Sequence, residues 1–415
     1  MRFGKKVNMK FFDAMPYAEA LRISQGLIYK YAEKTCTLPL ENSSGHILAE
    51  DIFSTENLPS FDKSVVDGYA VKASDTFGAS ESVPALLKII GKVEMGKDFS
   101  EEVGSGEAVY VPTGGKIPKG ANAVIMIENC EVLGRFLNVW KSVPEKGNIF
   151  EVGADISFGE LVAEKGREVT PLLQGVFAGL GIHTVKVFEK INFGIISTGD
   201  EIAGIRESIS EGMIRDINTY SLSALVQADG NKVTYTAVCP DNFDLLVDKL
   251  LEAQKVSDII LISGGSSVGE KDYTFKAIEK FCGQAVIKGI ALKPGKPTIA
   301  AKAEKSAFFG LPGHPMAAAS VYETLIAKAV RNIRNQKEKI ITYAEAKTNF
   351  PSSPGRTTCQ PVKLVFENGK VYAQPVFSKS GAINALSASD GYVLLAEKEE
   401  GVSAGQIVEV RKFGR

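Results

Sequence analysis

The sequence predicts a multi-domain α/β plus β protein. Three observations predict it: the length, a region of alternating strand and helix signals from about residue 190, and stretches of short strands and turns on both sides of that region. At 415 residues the chain is long enough for roughly two to four domains of ~100–200 residues each.

The elements follow in chain order. "YAEALRISQGLIYKYAEKT" repeats apolar residues at helical spacing and predicts an opening helix over about 17–33. Between Leu58 and about Pro144, "VPALLKIIGKVEM", "EAVYVPTGG" and "NAVIMIENCEVLGRFLNVWKSV" are short strand signals punctuated by glycine and proline, a small β-rich domain. "VTPLLQGVFAGLGIHTVKVF" reads as a helix and then a strand. In the alternating region, "KINFGIIST", "KVTYTAVCP", "VSDIILISGG" and "SAFFGLPG" are strands. "TYSLSALVQADG", "NFDLLVDKLLEAQ", "DYTFKAIEKFC" and the long "PMAAASVYETLIAKAVRNI" are helices. Such alternation implies a parallel or mostly parallel sheet covered by helices. The last ~75 residues return to strands, with "ENGK" as a hairpin turn.

Composition excludes several classes. Apolar residues make up 44% and charged residues 23% of the chain, and 48 basic residues face 49 acidic ones for a net charge of −1. No basic stripe marks a nucleic-acid binder. No run approaches the ~18–20 apolar residues of a membrane span, and the first residues lack the apolar core of a signal peptide. Cys36, Cys130, Cys239, Cys282 and Cys359 stand singly with no C-x-x-C, which argues against a zinc framework and a secreted disulfide scaffold. With only His46, His183 and His314, a histidine-rich metal centre is not expected. The profile is that of a cytoplasmic protein.

The polar loops fall at the carboxyl ends of predicted strands, where open α/β sheets bind ligands: "STGDE" at 197–201, "SGGSSVGEKD" at 263–272, "LKPGKP" at 292–297 and "GLPGHP" at 310–315. The second has the glycine spacing of a phosphate-binding P-loop, but Glu270 stands where the lysine belongs. Gly264, Gly265 and Gly269 can turn backbone N–H groups inward as an anion nest, with Ser266 and Ser267 adding hydroxyls; a plain strand-to-helix turn is the alternative. Asp200 and Asp272 can supply hard oxygen ligands to a cation such as Mg²⁺, or Asp272 can simply cap the helix from Tyr273. Lys293 and Lys296 flank a rigid Pro-Gly turn and can aim at one anion, each charge-assisted bond contributing about 1.5–3 kcal/mol; solvated surface lysines are the alternative. Asp67 before Gly68 makes a turn, and His314 suits loop packing better than general base chemistry.

In combination, "LPSFDKSVVDGYAV", "VPTGGKIPKGANAVIMIE", "FGIISTGDEI", "RDINTYSLSALV", "SGGSSVGEKDYT", "LKPGKP", "GLPGHP" and "SPGRTTCQPV" resemble the molybdopterin molybdenumtransferases, the MoeA-type proteins that include the C-terminal part of gephyrin. The resemblance covers nearly the whole chain. It implies an elongated N-terminal region over 9–57 and 145–186 carrying an inserted β-rich domain at 58–144. A three-layer molybdopterin-binding α/β domain at 187–335 and a C-terminal β-barrel-like domain at 336–415 follow.

The implied reaction takes adenylyl-molybdopterin and molybdate, with Mg²⁺ assisting, to molybdenum-molybdopterin and AMP. By motif matching, Asp67, Thr113, Asp155, Glu201, Asp216 and Asp272 fall at the family's active-site positions, and Asp200, Glu201 and Asp272 are the metal candidates. Lys293, Lys296, Pro297, Arg356 and Ser380 match a molybdate pocket, and Pro312 and Pro315 are further cofactor-binding candidates. Gly264, Gly265, Ser266, Ser267 and Gly269 would hold the pterin phosphate or its adenylate. The resemblance also implies a homodimer with its site between the α/β domain of one chain and the DGYAV domain of the other. Molybdopterin adenylyltransferase and molybdoenzyme-loading proteins are implied partners, with no nucleic acid and no membrane. The sequence departs from the family at Lys63 and His314, where asparagine is usual, at Ala317, where serine is frequent, and at Ser266, where valine is usual. Adenylation of molybdopterin and a non-catalytic dimeric molybdopterin-binding scaffold are the rival readings.

Overall fold

The computed structural model describes residues 14–264, 273–282, 285–377 and 381–414. Packing divides the chain into two compact units. One takes in the described residues up to Glu50, Lys165–Gln174 and those from Thr184 onward; the other takes in Asp51–Glu164 and Gly175–His183.

The second unit is built on a six-stranded sheet whose order is Ala123–Met126, Gly68–Val71, Glu107–Val111, Ala85–Lys92, Phe136–Val139 and Cys130–Leu133. Only the pairing of Ala85–Lys92 with Glu107–Val111 is parallel. Alternate side chains feed two small cores: Tyr69, Val71, Leu87, Ile125 and Leu137 pack on one face, and Ala70, Val109, Val111 and Val124 on the other. The Asp67-Gly68 pair has a steric cause. A Cβ at Gly68 would lie 1.9 Å from the carbonyl oxygen of Ile125, so only glycine lets this strand pair so closely with the edge strand Ala123–Met126.

The centre of the first unit is a six-stranded sheet ordered Lys232–Cys239, Asn192–Thr198, Ile259–Ser263, Ala307–Leu311, Ile299–Lys302 and Ile287–Lys288. The first four strands are mutually parallel, and Ile299–Lys302 alone runs against both of its neighbours, Ala307–Leu311 and Ile287–Lys288, so the sheet is mostly parallel. Strand alternation sorts the cores. Phe193, Ile195, Leu261, Phe309 and Leu311 face helices Tyr17–Ala32, Asn218–Ala228 and Pro315–Val321. Ile196, Ile260, Ile262 and Phe308 face helices Phe243–Gln254 and Tyr273–Cys282. The opening helix thus joins the core of the α/β layer through Tyr17, Ala20, Leu27, Ile28 and Tyr31.

Strands Thr357–Glu367, Lys370–Pro375, Ile340–Ala346, Ile407–Arg411 and Gly391–Leu395 close into a five-stranded barrel, because Thr357–Glu367 also pairs with Gly391–Leu395. The hairpin predicted at "ENGK" forms with Asn368 and Gly369 at φ 50° and 74°, the left-handed pair of a type I′ turn. Cys359 and Tyr392 of the barrel pack into the α/β core.

The single closing helix expected after Pro315 is three segments: α-helix Pro315–Val321, a π-helical turn Tyr322–Ala327 and α-helix Lys328–Ile333. The turn coincides with a buried polar knot that apolar periodicity does not encode. Tyr322 Oη donates to Asp229 Oδ2 at 2.9 Å, and Asp229 also pairs with Lys339. Glu323, fully buried, lies 2.8 Å from Arg331 and accepts the Gly414 N–H at 3.0 Å. Burial raises the Glu323 carboxyl above its usual range, and the Arg331 charge opposes the shift.

Candidate active site

In the α/β unit, three adjacent parallel strands end level with one another. Ser197 is in register with Ser263, and Ser263 with Leu311. The turn at 199–201, the loop from Gly264 and the loop at 312–314 therefore leave from one edge of the sheet, the edge where such sheets bind ligands.

Gly264 has φ 109°, and a Cβ there would lie 2.2 Å from the Thr198 carbonyl oxygen. The expected nest begins at a position only glycine can occupy. Its carbonyl accepts from Thr274 Oγ1 at 3.1 Å, tying the loop to the first turn of helix Tyr273–Cys282. Gly265, Ser266, Ser267, Gly269, Glu270, Asp272 and Ser380 lie outside the described residues. Beside Gly264, Thr198 Oγ1 is buried and has no hydrogen-bond partner among the described residues.

The carboxylates of this unit differ in environment. Asp216 is 6% exposed, and its Oδ1 accepts from Ser197 Oγ at 2.9 Å and from the Thr219 N–H at 3.1 Å. One side chain thus holds both a strand end and the first turn of helix Asn218–Ala228. Asp200 is exposed and accepts the Asp241 N–H at 2.9 Å. Glu201 is exposed, and its carboxylate folds over Gly199, where a Cβ would lie 2.8 Å from Oε2.

The lysine loop is shaped by its glycine. A Cβ at Gly295 would lie 2.6 Å from Val321 Cγ2, so the turn rides directly on the helix beginning at Pro315. Thr298 Oγ1 closes it by donating to Gly295 O at 2.6 Å. Lys293 and Pro297 are exposed and Lys296 half-buried. Leu292 and Lys293 pair in parallel with Thr357 and Thr358, which sets Lys293 beside the strand that follows Arg356. His314 lies next to Gly381, whose Cβ would be 3.7 Å from His314 Nε2. Loops from both parts of this unit therefore meet at the sheet edge. Pro312 and Pro315 are buried supports, and Ala317 is buried at 6% exposure.

The β-rich unit carries a second set. Asp67 and Thr113 are exposed and meet directly: the Thr113 N–H donates to Asp67 Oδ1 at 2.9 Å. Asp155 sits on a separate exposed turn whose N–H donates to Leu58 O at 3.0 Å. Lys63 lies with its Nζ 5.3 Å over the Phe150 ring.

For a cation, the described residues offer no group of three or more His, Cys, Asp or Glu able to hold a metal ion. Mg²⁺ commonly takes one or two carboxylates and completes its shell with phosphate oxygens and water. Asp200 and Glu201, consecutive on one exposed turn, fit that use.

Residue type alone did not single out Asn218, Ser197 and Ser263, whose side chains join these strand ends, or the buried hydroxyl of Thr198. The signal was present in short polar runs, "ST" before Gly199 and "DINT" before an apolar helix.

Three family descriptions match in order: the MoeA N-terminal region (domain I and II) at residues 15–181, a probable molybdopterin binding domain at 194–332, and the MoeA C-terminal region (domain IV) at 343–413. The molybdopterin molybdenumtransferase of Haemophilus influenzae is 34% identical over 389 residues, covering 92% of this chain and 95% of that one. The chain belongs to the MoeA family. A second molybdopterin molybdenumtransferase, from Staphylococcus aureus, is 30% identical and covers 90% of each chain. The crystal structure of the molybdopterin biosynthesis MoeA protein from Pyrococcus horikoshii superposes with a TM-score of 0.82 at 33% identity, covering 97% of this chain and all of that one. The MoeA fold accounts for the inserted β-rich unit, the α/β layer and the closing barrel.

Proposed function

We propose that this MoeA-family chain is a molybdopterin molybdenumtransferase: adenylyl-molybdopterin and molybdate give molybdenum-molybdopterin and AMP. The observation that carries the reading is the convergence of the Gly264 loop, the 199–201 turn, the lysine loop and His314 at one edge of the α/β sheet, in a chain matching such transferases along nearly its whole length.

The chemistry asks for two anion sites. The loop opening at Gly264, with the adjacent Thr198 hydroxyl, is suited to the pterin phosphate. Lys293, Lys296 and Arg356 supply positive charge for molybdate. Asp200 and Glu201 would hold Mg²⁺ against the phosphoanhydride. When bound, that ion neutralises phosphate charge and favours attack by water. Asp67 and Asp155 are proposed as further carboxylates of the reaction, carried on the β-rich unit. Asp216 positions, since its Oδ1 is engaged by Ser197 and Thr219. Catalysis in this reading rests on positioning and charge stabilisation.

A homodimer in the cytoplasm is part of the proposal, with molybdopterin adenylyltransferase supplying substrate and molybdoenzyme-loading proteins taking product. Among the described residues, no helix is long and apolar enough to cross a membrane. The test is reconstitution. The protein is incubated with adenylyl-molybdopterin, molybdate and Mg²⁺, then with an apo-molybdoenzyme. Appearance of molybdoenzyme activity supports the transferase, whereas product identical to the input adenylate removes it.

A further inference from the structure

We infer that Asn218 is a positioning residue that locks two of the site's loops to each other. Its kinetic consequence rests on the transferase reading; its structural consequence does not. Asn218 is 7% exposed and opens helix Asn218–Ala228. Its Nδ2 lies 2.7 Å from Ser263 Oγ and 2.7 Å from Gly313 O.

The donors and acceptors can be assigned without choice. A carbonyl oxygen only accepts, so the group facing Gly313 O must be the NH₂ of the amide. Both of its hydrogens are then used, one on Gly313 O and one on Ser263 Oγ. The Ser263 hydroxyl, having accepted, passes its own proton to Pro312 O at 3.3 Å. Ser263 immediately precedes Gly264, and Gly313 immediately precedes His314. One side chain thereby fixes the start of the glycine loop against the loop that carries His314.

The same helical turn holds the third strand end. Ser197 Oγ gives its proton to Asp216 Oδ1, so in its 2.9 Å contact with Thr219 Oγ1 the threonine is the donor. Residues 216–219 therefore tie the edges of three adjacent strands. Asn218 Oδ1, meanwhile, is buried with no partner among the described residues. An amide kept buried at that cost is held for its NH₂, which makes both bonds.

Asn218→Asp has the same shape, but it places a carboxylate oxygen against the Gly313 carbonyl. Asn218→Ala removes the group. Either change removes the N–H donor to Gly313 O, so both variants are expected to loosen the segments that Asn218 joins. A clamp makes Asp at least as damaging as Ala.

The experiment measures hydrogen exchange over 259–264 and 311–314, together with steady-state AMP release from adenylyl-molybdopterin, for wild type and both variants. We expect exchange in both segments to rise at least threefold in Asn218→Asp, with strand 357–367 unchanged. We also expect the KM for the adenylate to rise at least fivefold in the folded fraction. A purely structural role would lower the active fraction and leave KM alone. Unchanged exchange at both segments in Asn218→Asp overturns the inference whatever the kinetics. Faster exchange with an unchanged KM overturns the link between clamp and substrate. If the wild type releases no AMP while exchange rises as stated, the clamp stands and the transferase reading fails.

Discussion

The backbone N–H of Thr113 donates to Asp67 Oδ1 at 2.9 Å, joining two residues 46 positions apart. Asp67 ends the turn before strand Gly68–Val71, and Thr113 follows its neighbour Glu107–Val111. The bond fixes the rotamer of an exposed carboxylate by a backbone donor, which holds it at little conformational cost.

Asp67→Asn separates charge from geometry. Asparagine retains an Oδ1 that can accept from Thr113, so the β-rich unit keeps its fold while the negative charge is lost. AMP release should fall on the order of 10²-fold, as when one preorganised charge-stabilising group is removed, with Tm nearly unchanged. Assay of release beside a thermal melt checks it, and wild-type turnover in the variant removes Asp67 from the mechanism.

Gly264→Ala should fail for steric reasons. With φ at 109° and the Thr198 carbonyl 2.2 Å from the added Cβ, either the strand end or the loop must move, costing about 1–3 kcal/mol. A lower Tm and a loss of adenylate binding are expected together. Retention of both would show that the loop start is not a fixed point.

Lys293→Ala and Lys296→Ala should act on the oxyanion. Loss of one charge-assisted bond of about 1.5–3 kcal/mol predicts a rise in the KM for molybdate of roughly 10- to 150-fold at 1.4 kcal/mol per decade, with adenylate binding little changed. Titrating molybdate at saturating adenylate measures it. An unaltered molybdate KM in both variants assigns these lysines to solvent.

Much of this was legible in the sequence. Strand ends at Thr198, Ser263 and Leu311 followed from apolar runs closed by polar and glycine residues, and the left-handed pair at Asn368-Gly369 followed from turn chemistry. The barrel closure and the π-helical turn were not readable in this way. Closure depends on Thr357–Glu367 pairing with two partners. The turn coincides with Glu323 meeting Arg331 in the core, a contact that no apolar period encodes. Short strands such as Ile299–Lys302 escaped because four residues of "IAAK" carry little pattern. In the site, Lys293 and Gly264 stood out by residue type, whereas Asn218 acts through two bonds that exist only after folding.

Alkaline pH should destabilise the protein. Burial pushes the Cys359 thiol up to about 12 and raises the phenols of Tyr17, Tyr322 and Tyr392. The unfolded chain loses these protons near the ordinary values of about 8.5 for a thiol and about 10 for a phenol, while the folded chain keeps them. Their contribution to stability is therefore complete below about pH 8.5 and is lost as pH rises toward about 12. Melts at pH 8 and pH 11 should show Tm falling; a flat or rising Tm contradicts the assignment.

Molybdenum insertion is tested by AMP release from adenylyl-molybdopterin in the presence of Mg²⁺, with and without molybdate. Release is expected to depend on both molybdate and Mg²⁺ and to stop on chelation. Tight binding of the adenylate with no release under any of these conditions would contradict it and leave a molybdopterin-binding scaffold.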